Sequence, residues 1–248
     1  MLKYPLSTIL YLAKINIKDT IQDALKLHNN IDVRLTVTVK DKDGKIIKVH
    51  KQKSHSFVSN FLSILASGMA CSYHQNFSNI SYGYYYIITN GEYAAYNPYY
   101  WVINTLFDLN DSANDSTYGI VVGTGTATPT PNDYALGNQI INGTSTGQLV
   151  YGAHEISPAP QTIGSASQLT TTTTPTSGIL PVSGNTTSFQ VSRTFQNQSG
   201  TSITVSEVGI YVQTPNGYAL IIHDLLSSPI TIPNNAVLTI VYTISTST

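Results

Sequence analysis

The sequence predicts a mainly β protein, an antiparallel β-sandwich of jelly-roll type with an N-terminal helix, a hairpin and a second short helix ahead of it. Three observations lead there. Short runs alternate apolar and polar residues, Asp-Gly and Asn-Gly pairs separate several of them as tight turns, and the three-to-four-residue helical period vanishes beyond about residue 72. With 248 residues the chain can bury a sizeable core, as one large β domain or two smaller ones.

The elements follow in chain order. In residues 5–28, Leu6, Ile9, Leu10, Ala13, Ile17, Ile21, Ala24, Leu25 and His28 recur at helical steps behind Pro5, which suits a first turn. Val33, Leu35, Val37 and Val39 then alternate before Asp43-Gly44, a two-residue hairpin signal. Ser54 or Ser56 is placed to cap a helix in which Phe57, Phe61, Leu65 and Met69 line one face, ending near Gly68. Residues 1–71 thus read as a helix, hairpin and helix region able to dock on partners, and 72–248 as the β body. Four prolines and a threonine run mark a long loop in 157–187, where the body could divide into two sub-domains.

Asn90-Gly91 joins two Tyr-rich runs as a further hairpin, and the closing strands are expected at 188–196, 202–213, 218–224 and 236–245. Asn216-Gly217 links the middle pair, and Pro233-Asn234-Asn235 turns into the last strand. If Ser199-Gly200-Thr201 is a hairpin loop with Gly200 left-handed, Phe195 opposes Val205 and Arg193 opposes Glu207. That register predicts a partly buried Arg193–Glu207 ion pair on an apolar face.

Charge divides the chain unevenly. Residues 1–53 hold 11 Lys+Arg against 5 Asp+Glu, whereas the rest holds Arg193 alone against 8 acidic groups. The basic region suits an acidic membrane surface, nucleic acid or a partner subunit, and the weakly charged remainder suits packing between copies of the chain. Cys71, the single cysteine, is expected to be a buried inert thiol. No apolar run reaches the roughly 18 residues of a membrane span, and the first 30 residues lack the apolar core of a signal peptide.

Several motifs suggest chemistry and fall short of it. "GIVVGTGTATPTPNDYALGNQI", residues 119–140, opens like a nucleotide-binding strand and phosphate loop. Thr128 stands where a third glycine is needed, prolines follow in place of a helix, and no lysine occurs after Lys53. "GTSTG" centres Ser145 as a nucleophile elbow would, with His154 or His223 as the base, but strand-like sequence follows it; a serine esterase is the remote alternative. The histidines at 28, 50, 55, 74, 154 and 223 show no metal-ligand spacing, and Asp108, Asp111 and Asp115 read as turn formers. The expectation is a protein with no cofactor, no metal and no catalytic residues.

Tyr84, Tyr86, Tyr96, Tyr99, Tyr100 and Trp101 offer rigid amphipathic area, either for a glycan or receptor or for packing between subunits, and the second use is preferred. Seven sequons, at Asn76, Asn79, Asn110, Asn114, Asn142, Asn185 and Asn197, are candidate glycosylation sites.

Three stretches carry a resemblance: "SHSFVSNFLSILASGMA", "GIVVGTGTATPTPNDYALGNQI" with "ING" after it, and "FQVSRTFQNQSGTSITVSEVGIYV" continuing to "LIIHDLLSSPITIPNNAVLTIVYTI". In this order they are similar to a loosely defined group of virion-associated proteins of tailed phages and archaeal viruses, over about residues 31–245. The Tyr-rich stretch and the Thr-Pro loop depart from the group. The resemblance implies a virus-encoded structural protein with a β-sandwich body, located in the virion as a capsid, turret, spike or tail component. Its partners would be further copies of itself and other virion proteins, and a receptor- or glycan-binding spike module is the alternative.

Overall fold

A computed structural model describes residues 31–54, 57–70, 85–89, 92–96, 109, 112–157, 182–183, 186–214 and 217–247. The expected helix at 5–28, Cys71, the 158–181 loop, Tyr84, Tyr99, Tyr100, Trp101, Asp108, Asp111, Asn76, Asn79, Asn110 and Asn185 lie outside the described residues.

The chain is mainly β with antiparallel sheets, and one helix occurs among the described residues. Strands β1 (Ile31–Lys40) and β2 (Ile46–Lys53) form the first hairpin, and α1 (Ser59–Ala70) follows. The Tyr-rich hairpin is β3 (Tyr85–Thr89) with β4 (Glu92–Tyr96). Then come β5 (Gly119–Gly123), β6 (Val150–Ser157), the short β7 (Val182–Ser183), β8 (Thr186–Gln196), β9 (Ile203–Thr214), β10 (Gly217–Ile232) and β11 (Val237–Ser247). One sheet runs β2-β1-β11-β8-β6 with β7 beside β8, a second runs β10-β9-β5, and β3-β4 stands by itself.

Alternation decides which face is buried. Val33, Leu35, Val37 and Val39 of β1 point inward, and so do Leu238, Ile240 and Tyr242 of β11 and Val191, Arg193 and Phe195 of β8. Their inward face shares one apolar cluster with Ile120 and Val122 of β5, Val205 and Val208 of β9, and Leu220 and Ile222 of β10. Both larger sheets therefore bury their apolar side chains in common, which removes the most nonpolar surface from water.

Ten residue pairs bind β1 to β11, so residues 31–53 lie in the same sheet as the C-terminal strand. Likewise β6 and β8, which flank the 158–181 segment, are neighbours in one sheet. The first hairpin turns differently from expectation. The ladder reaches Lys40 and Ile46, and the Asp41 N–H then donates to the Lys45 carbonyl and the Gly44 N–H to the Asp41 carbonyl, closing a three-residue loop at 42–44 that the Asp41 carboxylate braces by accepting the N–H groups of Asp43 and Lys45. Gly44 takes the left-handed conformation that this needs.

The helix also starts later than its serines suggest. Ser54 is buried and donates its N–H to Val33, while Phe57 and Val58 stay extended against β10. Helix α1 begins only at Ser59, whose N–H meets the carbonyl of Pro131.

The largest correction concerns Ser199–Thr201. Gly200 is left-handed as expected, yet the segment crosses from one sheet to the other instead of closing a hairpin. Phe195 lies opposite Leu238 and Tyr151, and Val205 opposite Ile230. Asn197 builds this corner. Its buried amide donates to the carbonyls of Thr201 and Ile232 and accepts the N–H and hydroxyl of Ser199. Backbone bonds from Asn197 to Ala236 and from Asn235 to Asn197 tie the β8–β9 crossing to the β10–β11 crossing.

Asn197→Ala strips partners from several groups at once, and should destabilise the protein by about 2–4 kcal/mol in denaturant unfolding with an unchanged m-value. A change within a few tenths of a kcal/mol would contradict this role.

Candidate functional site

The segment that opens like a phosphate loop surrounds a carboxylate of the protein itself. All five residues of β5 are buried, and the chain then loops over β9 before returning at Ile140. Glu207, in the middle of β9 and 1% exposed, accepts the N–H groups of Gly125 at 2.8 Å, Gly137 at 2.9 Å and Asn138 at 2.8 Å. A Cβ on Gly123 or Gly125 would stand 2.3 or 2.4 Å from its Oε1 atom, so only glycine lets the backbone come this close. Tyr211 adds a further tie by accepting the N–H of Leu136 at 2.8 Å.

His223, on β10 and 3% exposed, completes the cluster. Its Nε2 lies 3.0 Å from Glu207 Oε2 and its Nδ1 2.6 Å from Asp133 Oδ2. Asp133 turns back to accept the N–H and hydroxyl of Thr130 and also reaches across to His223. The result is a chain of loop amides, Glu207, His223, Asp133 and Thr130 that clasps residues 124–138 onto the second sheet.

A ring nitrogen can meet a carboxylate only as a donor, so two carboxylates hold the ring as an imidazolium. Burial opposes that charge, but the bonds to Glu207 and Asp133 outweigh it and raise the His223 pKa above 6.5. For Glu207 burial likewise favours the neutral acid; the His223 bond and the three amides prevail and bring its pKa down to about 2. The Asp133 pKa is lowered too, its burial being overcome by Thr130 and His223.

A second cluster centres on Arg193, which is 1% exposed. Its guanidinium donates to the carbonyls of Gly152 at 2.8 Å, Tyr118 at 3.1 Å, Ile120 at 3.0 Å, Ser112 at 3.3 Å and Asp115, and lies over the Tyr151 ring. The expected Arg193–Glu207 pair is therefore replaced. Both residues are buried, as the pairing implied, but they sit on strands of different sheets, where Arg193 gathers carbonyls and Glu207 gathers amides. Beside Arg193 in the β6–β8 register, the His154 ring fills the space over Gly119, and its Nε2 accepts the N–H of Ile120 at 2.6 Å.

Ser145 sits in an exposed turn, where its N–H meets the Gln148 side chain and its carbonyl accepts the Gln148 N–H. A base for Ser145 would need a ring nitrogen turned toward it. His223 gives both of its nitrogens to carboxylates, and His154 spends Nε2 on β5. Among the described residues no group of three or more His, Cys, Asp or Glu is arranged to hold a metal ion, and no helix is long and apolar enough to cross a membrane.

Of the Tyr set, Tyr86 lies opposite Ala95 and Tyr96 opposite Tyr85, so these two are not cross-strand partners. Among the candidate glycosylation sites, Asn114 is exposed, Asn142 accepts the Tyr151 N–H with its side-chain oxygen, and Asn197 is buried with its amide nitrogen fully engaged. Asn197 is thus closed to modification in the folded chain. Asp133, His223, Tyr151 and Tyr211 were not singled out as a network in the sequence, although a Glu within "TVSEVGIYV" and a His-Asp pair within "ALIIHDLL" are polar interruptions of buried strands. Comparison with protein-family models, curated proteins and solved structures finds no match to the chain.

The shifts set a pH window. The contribution of Glu207 is present above the unfolded value of 4.5 and is lost as pH falls toward 2; that of His223 is present below 6.5 and is lost as pH rises through its elevated pKa. Stability should be greatest between these limits, and His223→Gln should flatten the alkaline limb in urea titrations across pH. An alkaline limb that keeps its slope in this variant would contradict the assignment. Gly125→Ala should cost about 1–3 kcal/mol through its collision with the Glu207 carboxylate, measured by the same titration at neutral pH.

Proposed function

We propose that this chain is a virus-encoded structural protein that assembles in the virion through contacts between its own copies and with other shell, turret, spike or tail proteins. The same reading takes the two larger sheets as the layers of a β-sandwich of jelly-roll type. Nested pairing supports it: β9 pairs with β10 inside the pair β8–β11, so a long folded ribbon is wrapped across both layers.

One observation carries the assembly reading. The outward face of the first sheet sets Thr38, Thr239 and Thr194 in one row and Thr36, Val241 and Ser192 in the next. Hydroxyl and methyl groups spread over three strands without a charge make a flat surface that loses little on desolvation, which is what the centre of a subunit contact requires. Among the described residues, Glu207, His223, Asp133 and Arg193 are spent on internal bonds, which fits an architectural role.

The full-length chain should sediment as an oligomer. Thr239→Arg combined with Val241→Arg should return it to a monomer with an unchanged melting temperature, and mass spectrometry of purified particles should find the chain. A chain that is monomeric at every concentration and missing from particles would contradict this reading.

A further inference from the structure

The first hairpin carries a basic and aliphatic surface outside the clusters described above. Among the described residues strand β2 pairs with β1 alone and stands at the end of its sheet. On the outward face Arg34 lies opposite Lys53, Thr36 opposite Lys51, Thr38 opposite Val49 and Lys40 opposite Ile46, with Ile47 at the irregularity. Toward the turn, Ile46, Ile47 and Val49 are 54%, 45% and 49% exposed, an aliphatic cluster within four residues that water disfavours. Lys40 on the same face and Lys42 and Lys45 at the turn lie beside it, Lys48 stands on the other face of β2 opposite Val39, and at the far end Arg34, Lys51 and Lys53 border an open basin of about 470 Å³ that Asp32 also lines. Asp32 bonds to Arg34 and Lys53, and Asp43 to Lys42; with Asp41 these are the only acidic residues in 31–53, against seven cations.

The described side chains after Lys53 offer little to neutralise this face. Among the described side chains after Lys53, Glu207 and Asp224 are buried, Asp115 and Asp133 are half-buried and hydrogen-bonded, and Glu155 is the exposed carboxylate. An anionic partner from outside the chain would complement this excess of lysine. A single-stranded nucleic acid would be met by stacking aromatic rings, and this hairpin holds no Phe, Tyr or Trp. Adjacent aliphatic and lysine side chains instead match the boundary between acyl chains and anionic headgroups.

We infer that the β1–β2 hairpin is a peripheral docking surface for an anionic lipid membrane, with Ile46, Ile47 and Val49 entering the interface and the lysines and Arg34 meeting the headgroups. This does not rest on the virion reading, since it needs neither assembly nor a particle, although Thr36 and Thr38 border both faces.

The test is co-sedimentation of the purified full-length chain with vesicles of phosphatidylcholine alone or mixed with phosphatidylserine. The chain should bind the mixed vesicles selectively and leave them as salt rises. Lys40→Ala and Lys51→Ala should each lower the partition coefficient about fivefold. Ile46→Ser with Ile47→Ser should lower it by about tenfold or more while the protein keeps its melting temperature, since both side chains are exposed. Equal or absent binding to both vesicle types would overturn the inference, as would wild-type binding by these variants. Salt-sensitive binding to duplex DNA without vesicle binding would assign the face to nucleic acid, and self-association lost in the isoleucine variant without vesicle binding would assign it to a second copy.

Discussion

A carboxylate buried in the middle of a strand is the constraint on which the second sheet depends. Glu207 has no water to solvate it, and an uncompensated charge at such depth costs several kcal/mol. Three backbone amides and an imidazolium supply the solvation, and all three amides come from one loop. That requirement dictates the loop's path. It must pass close enough to need glycine at 123 and 125, return at 137 and 138, and leave Asp133 beside His223.

Arg193 answers the opposite problem with the opposite groups. Backbone carbonyls from residues 112–120 and Gly152 converge on the guanidinium, and the Tyr151 ring covers it. The two buried charges are thus satisfied by backbone dipoles and neutral or oppositely charged neighbours within their own surroundings. Irregular segments that would otherwise have exposed polar backbone are fixed at defined positions on the sheets, since every bond to a buried ion is strong and directional.

Much of the β framework was legible in the sequence because periodicity and turn chemistry are local. The closing strands, the buried "GIVV" run, Gly200 and the Pro233–Asn235 turn all follow from nearest-neighbour rules. The pairing of Arg193 with Glu207 went wrong for a physical reason. A Gly in a three-residue segment satisfies a hairpin loop and a sheet-to-sheet corner equally well, and the choice is made by the buried Asn197 amide, which draws on Ile232 some 35 residues away. The clasp was harder still to see, because Asp133 and His223 are 90 positions apart and meet only when the loop closes. What the sequence did carry was the anomaly of single ionisable residues inside apolar strands, a sign that each must find partners.

Amide hydrogen exchange at Gly125, Gly137 and Asn138 measures the central interaction most directly, in the native chain and in Glu207→Gln, which keeps the side chain's size and removes its charge. The clasp predicts that the three amides are protected in the native chain and lose much of that protection in the variant, while β9 and β10 amides such as Val208 and Ile222 stay protected. Protection at the three amides that is unchanged by the substitution would contradict the account.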